Sequence, residues 1–265
     1  MKKLNHNHPF HLVDPSPWPI AGAFAAFFTT LGCALYIHRY ESGFSLITLG
    51  IIILILVITL WWRDIIREAT FEGHHTFRVQ QGLRLGISLF IVSEVIFFFP
   101  FFWAFFHSSL APVFSIGGVW PPVGIKTIYP WGIPLLNTTL LLCSGCTLTW
   151  SHHALRAGGK KQSLIPLCLT VSLALIFLSL QVFEYHAASF SISDGIYGSV
   201  FYITTGLHGF HVLIGTIFLC VCAIRLIFNH FARTQHLGFD FAVWYWHFVD
   251  VVWVLVYLFI YVWGC

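Results

Sequence analysis

Charged side chains are scarce in this chain. Asp, Glu, Lys and Arg make up 9% of its 265 residues, against about 25% in ordinary soluble domains. A globule of this length could not clothe its surface with so few charges, which argues against a soluble domain. A chain that is 58% hydrophobic suits lipid as its solvent. A pronounced charge of one sign is also missing. The formal net charge is +3, and no basic patch is interleaved with aromatics, so nucleic acid is not an expected partner. No cysteine spacing suggests a zinc site or a disulfide framework. Cys33, Cys143, Cys146, Cys168, Cys220 and Cys222 sit in apolar runs, where they act as small hydrophobes. The first nine residues lack the apolar core of a secretory signal and the Arg/Ser-rich amphipathic pattern of a transit peptide, which predicts insertion without removal of a leader. Internal repeats and paired, Gly-broken short spans are missing too, which disfavours a repeat-built transporter.

What the chain does have is long apolar runs. A helix needs about 20 apolar residues to cross the hydrocarbon. Spans are predicted near residues 18–37, 44–62, 83–106, 133–155, 164–183, 200–228 and 241–263, in one all-α transmembrane domain covering residues 1–265. With seven spans, the N-terminus shares a side with the loops after spans two, four and six. That side then holds Lys2, Lys3, Arg63, Arg67, Arg78, Arg84, Arg156, Lys160, Lys161, Arg225 and Arg233, eleven of the thirteen Lys and Arg, leaving Arg39 and Lys126 opposite. Positive loops stay on the side of synthesis, so the N-terminus is expected in the cytoplasm or matrix. Trp18, Trp61, Trp62, Trp131, Trp150, Trp244 and Trp263 fall at span ends, as expected of an interfacial belt.

Few ionisable groups lie inside the spans. Glu94 is roughly 18 Å along span three, counting about 1.5 Å per residue from Gly82. An ionised carboxylate at that depth is costly, so Glu94 needs either a proton or a partner. It reads as a proton-relay carboxyl, with a protonated acid bonded to a neighbouring helix as the alternative. His247 and Asp250 are three apart on one helix face, and so are His208 and His211. All four read chiefly as polar groups that fix helix packing. Haem or copper ligation by the histidines is disfavoured. His152 and His153 are adjacent and point apart, and His74 and His75 lie in a loop. Gly206, Gly209 and Gly215 suggest close helix approach. Residues 61–75 cross the interface with Trp, Arg and His, either as a phospholipid site or as a positive flank with local ion pairs such as Asp64 with Arg67.

The quoted residues carry a resemblance. His11-Leu12-Val13-Asp14-Pro15-Ser16-Pro17-Trp18-Pro19, Trp61-Trp62-Arg63-Asp64 and Glu72-Gly73-His74-His75-Thr76 are followed by Ser93-Glu94-Val95 and Trp120-Pro121-Pro122. Later come Ser191-Ile192-Ser193-Asp194-Gly195, Gly206-Leu207-His208-Gly209-Phe210-His211 and Trp244-Tyr245-Trp246-His247-Phe248-Val249-Asp250. In this order, over nearly the whole chain, the motifs closely resemble subunit III of the haem–copper cytochrome c oxidases. The resemblance implies seven helices split two and five by a phospholipid-filled cleft, with packing against subunit I and association with subunit II and further subunits. It implies no redox centre in this chain; haem a, haem a3 and copper lie in partner subunits. Glu94 matches the family's carbodiimide-reactive carboxyl, and Trp62, Arg67, Glu68, His75 and Arg225 match positions near lipid headgroups. The implied role is to bind phospholipid, stabilise subunit I and support proton uptake in the aa3-type oxidase of the mitochondrial inner membrane, with the N-terminus in the matrix.

Two places depart from the family pattern. His186-Ala187-Ala188-Ser189-Phe190 replaces a stretch that usually ends in Pro-Phe, predicting a less rigid loop. Pro100, six residues after Glu94, could kink span three. The rival readings are a quinol oxidase subunit III, disfavoured by the intact region 15–62, a free-standing proton carrier using Glu94, and a home in a bacterial plasma membrane.

Overall fold

The computed structural model describes residues 8–265, so Lys2 and Lys3 lie outside the described residues. Among the described residues there is no β-strand, and seven helices are long and apolar enough to cross a membrane. They are α1 (Trp18–Ile37), α2 (Ser42–Arg67), α3 (Phe77–Leu110), α4 (Ile133–Ala157), α5 (Lys160–Ala187), α6 (Gly195–Ile227) and α7 (Leu237–Val256). Every predicted span has its helix, but several helices outrun the apolar run that announced them. α3 has 34 residues, about 51 Å at 1.5 Å each, against a hydrocarbon thickness of about 30 Å. Backbone hydrogen bonding continues past the hydrocarbon because a helix satisfies its own N–H and C=O groups wherever it goes. α2 continues through a wider π-type turn, Glu68–Glu72, which stops at Gly73 with φ 71°. α7 extends likewise through Tyr257–Val262.

Pro100 lies inside an uninterrupted α3, and Pro166 inside α5. The 186–190 segment is anchored more than its missing proline suggested. The Ser189 hydroxyl donates to the Lys126 carbonyl at 3.2 Å, and Tyr202 donates to the Phe190 carbonyl at 2.8 Å.

The chain forms two compact units, one ending at Leu83 and the other spanning Arg84–Cys265. In the first, α1 and α2 make a hairpin whose buried positions are small: Ala25, Gly32, Gly43, Gly50 and Val57. A Cβ on Gly50 would meet Thr29 Oγ1 at 2.5 Å, so the absent side chain is what lets the two backbones approach. The second unit has a dense aromatic core centred on α7, where Trp246 and Trp253 are fully buried. Their indole N–H groups are satisfied by α4: Trp246 donates to Ser144 Oγ at 2.9 Å and Trp253 to Thr138 Oγ1 at 3.0 Å. Buried indoles need such acceptors. Many remaining hydroxyls bond back onto their own helix, as Thr204 does to Val200 and Thr216 to Val212, each at 2.7 Å.

Of the three glycines expected to mark close helix approach, only Gly215 does so. A Cβ there would lie 2.9 Å from the Trp246 ring. One on Gly206 would meet only Tyr185 at an ordinary 3.7 Å, and Gly209 has nothing within 4 Å. The glycine motif is correct for one position and silent about which face meets a neighbour.

Candidate functional site

Glu94 sits at the middle of α3, and its partner comes from α6. His211 Nε2 lies 2.8 Å from Glu94 Oε2, and the two side chains are 10% and 21% exposed. The other ring nitrogen fixes the proton inventory. His211 Nδ1 is 2.7 Å from the Leu207 carbonyl, which can only accept, so Nδ1 donates. A 2.8 Å contact between Nε2 and a carboxyl oxygen then requires one proton between them. The pair is either protonated acid with neutral imidazole or carboxylate with imidazolium. Both forms have zero net charge, which is what a group at bilayer depth needs. The surroundings are apolar rings: Phe98 at 5.1 Å, Phe248 at 6.3 Å and Tyr245 stacked at 6.4 Å from the imidazole.

The other polar residues singled out within the spans tie helices together. His208, fully buried, faces the Val249 carbonyl of α7 at 3.2 Å, with Nδ1 left unpartnered. His247 stands 3.7 Å from Asp250 and 3.3 Å from Thr149 of α4. Asp250 lies so close over Gly145 that a Cβ there would meet its Oδ2 at 2.6 Å.

In the first unit, a cavity of about 900 Å³ is lined by Trp61, Asp64, Arg67, Glu68, His75 and Arg78 together with the segment from Phe10 to Trp18. The N-terminal segment is fastened there. His11 Nε2 is 3.1 Å from Glu68 Oε2 and its ring stacks on His74 at 4.8 Å. Trp18 Nε1 donates to Asp64 Oδ2 at 2.7 Å, and the Thr76 hydroxyl donates to the Pro9 carbonyl. The expected Asp64 partner, Arg67, gives way to Trp18 and to Arg63, whose guanidinium lies 2.9 Å from Asp64 Oδ1. Arg67, Glu68 and His75 therefore share one cavity. Trp62 is 58% exposed and is not among the residues that line it. Arg225 belongs to the second unit, where its guanidinium lies 4.3 Å over the Phe231 ring.

Sequence reasoning missed the partners rather than the residues. His11 and Trp18 stood in a recognised motif, yet their pairing with Glu68 and Asp64 spans 57 and 46 residues. Buried Glu184 also went unremarked. It accepts from Tyr261 at 2.5 Å and from Gln181 at 3.2 Å. Its place near the C-terminal end of an apolar helix was the signal available.

These features define a polytopic, all-helical membrane protein with an acid–imidazole pair deep in its helices. Comparison with known proteins makes the class specific. Residues 8–265 match the family model described as cytochrome c oxidase subunit III. A protein named cytochrome c oxidase subunit 3 from Prototheca wickerhamii is 59% identical over 97% of this chain and 98% of its own length. Namesakes from Arabidopsis thaliana and Danio rerio are each 55% identical, the first over 98% of both chains and the second over 97% of this chain and 98% of its own. The chain belongs to the cytochrome c oxidase subunit III family.

Proposed function

We propose that this member of the family is a non-redox core subunit of the mitochondrial aa3-type oxidase, the complex that reduces oxygen to water with electrons from cytochrome c and pumps protons. Its own contribution is to hold phospholipid, to stabilise subunit I, and to support proton uptake on the side of its N-terminus, the matrix, while haem a, haem a3 and copper lie in partner subunits. The observation that carries this reading is the cavity at the end of α2. Arg67 and Arg78 line it with His11 and His75, and guanidinium and imidazole groups are the donors that phosphate oxygens favour. Its carboxylates are Asp14, Asp64, Glu68 and Glu72; Glu68 is paired with His11, Asp64 with Arg63 and Trp18, and Glu72 with His74. With Glu68, Asp64 and Glu72 engaged by other side chains, the guanidinium groups of Arg67 and Arg78 are the donors offered to an anionic headgroup, with Trp61 at headgroup depth. The Glu94–His211 pair supports the proton-related part, because one shared proton can pass between its two forms without net charge entering the membrane.

The test is to prepare the assembled oxidase with Arg67→Gln and Arg78→Gln together. Mass spectrometry of copurifying lipid is expected to show loss of an anionic phospholipid, while the haem spectra stay unchanged and activity decays faster during sustained turnover. Retention of the full lipid complement would refute the lipid reading.

A further inference from the structure

Far along the chain from Glu94, the end of α4 and the start of α7 bring together three side chains that the lipid and proton reading does not use. His152 Nε2 lies 2.9 Å from Asp240 Oδ1, and His236 Nε2 lies 3.4 Å from the same oxygen. The three donor atoms all fall within 4.8 Å of one another. The side chains are only 20%, 11% and 14% exposed, so this is a partly enclosed cluster rather than a loose surface grouping. Arg84 approaches the opposite carboxylate oxygen at 3.9 Å and leaves Oδ1 to the imidazoles.

The orientation of His236 is informative. Its Nδ1 is 3.0 Å from the Ala232 carbonyl, which can only accept, so Nδ1 carries the proton. A neutral ring with that tautomer aims the Nε2 lone pair at a carboxylate. Something positive must stand between them, either a second ring proton or a metal ion. An imidazole whose outer nitrogen donates to a backbone carbonyl, leaving the inner one for a cation, is the usual support of a metal-ligating histidine. The distances fit as well. Ligands about 2.0–2.1 Å from a tetrahedral zinc ion lie about 3.4 Å apart. One pair is already at that separation, a second is at 2.9 Å, and the two imidazole donors lie within 4.8 Å of each other.

We propose that His152, His236 and Asp240 form a binding site for a divalent transition-metal ion of the zinc class. Two imidazoles and one carboxylate supply three ligands, and water completes the tetrahedron. Imidazole donors select zinc over magnesium or calcium, which prefer all-oxygen shells. Binding expels the protons now held between the rings and the carboxylate, and the ion clips the C-terminal turn of α4 to the first turn of α7. This is not a redox centre and is independent of the roles proposed for Glu94 and the cavity at α2.

The experiment uses the assembled oxidase in detergent, stripped with a chelator and dialysed against radioactive Zn²⁺. Four forms are compared: the unaltered chain, Asp240→Asn, His236→Gln, and His153→Gln as a control at an exposed neighbour outside the cluster. Haem absorption confirms that each form has assembled. One zinc equivalent present in the unaltered form and in His153→Gln is expected to bind at least tenfold more weakly in Asp240→Asn and in His236→Gln, and either substitution alone decides the matter. X-ray absorption at the zinc edge should lose nitrogen scattering in His236→Gln. Equal zinc content and affinity in all four forms would overturn the proposal and leave the cluster as hydrogen-bonded imidazolium and carboxylate.

Discussion

The shared proton between Glu94 and His211 makes a quantitative prediction. Glu94→Leu keeps the side chain's approximate size, so little cavity is created. It also removes the group that Nε2 of His211 faces at 2.8 Å, while Nδ1 stays committed to Leu207. With Phe98, Tyr245 and Phe248 around it, that nitrogen is left unsatisfied, at a cost of about 1–3 kcal/mol. His211→Phe alone strands the carboxyl at a similar cost. The double substitution Glu94→Leu/His211→Phe strands neither group, so both stranding costs vanish and it should cost about 2–6 kcal/mol less than the sum of the singles. Glu94→Gln keeps a donor for Nε2 and should cost about 1 kcal/mol or less. Unfolding of each form in mixed micelles with increasing sodium dodecyl sulfate gives the four free energies of the cycle. Additivity of the two single costs within about 0.5 kcal/mol would refute the inference that the groups share a proton.

Further outcomes rest on packing and on single bonds. Glu94→Ala should leave the haem spectra of the assembled oxidase intact, since its carboxyl is engaged by His211; a bleached haem band in the optical spectrum would contradict this. Gly50→Val should push α1 from α2, because even a Cβ would meet the Thr29 backbone nitrogen at 2.7 Å, whereas Gly209→Ala has open space. The first should lose about 1–3 kcal/mol and the second should be neutral within this chain, as measured by thermal denaturation. Trp253→Phe removes the donor to Thr138 Oγ1 and should destabilise by about 1–2 kcal/mol, while the exposed Trp150→Phe should change the same melting midpoint far less.

The seven helices were legible because a span announces itself locally: each is written in about 20 consecutive residues, and within such a segment a helix satisfies its own backbone in lipid. Helix ends were less legible. Polar continuations such as residues 63–72, at the end of α2 and through its π-type turn, have no hydropathy signal, yet they propagate from a helix already nucleated. The tryptophans show the same division. Trp62, Trp131 and Trp150 are exposed, as belt residues should be, but Trp246 and Trp253 are sealed in the core. Only the positions of Ser144 and Thr138 on another helix explain why an indole can be buried there.

The site was legible in its members and hidden in its pairings. Glu94 stood out because an acid in an apolar run is expensive, and that expense is a local fact. Its counterpart is 117 residues away, and nothing at His211 distinguishes it from His208, one turn earlier, which instead faces a backbone carbonyl. Both histidines lie on α6 within a single Gly-Leu-His-Gly-Phe-His motif, so the motif predicts polarity while helix rotation decides its use. The same holds for His152 and Asp240, 88 residues apart. Of the adjacent His152 and His153, only the first turns inward to Asp240, as helical geometry requires of neighbours in sequence. Ionisable side chains within the helices of such a protein are therefore best counted as pairs. A lone acid or histidine at depth implies a partner on another helix, and the partner determines whether the pair shares a proton, braces two helices or offers ligands to an ion.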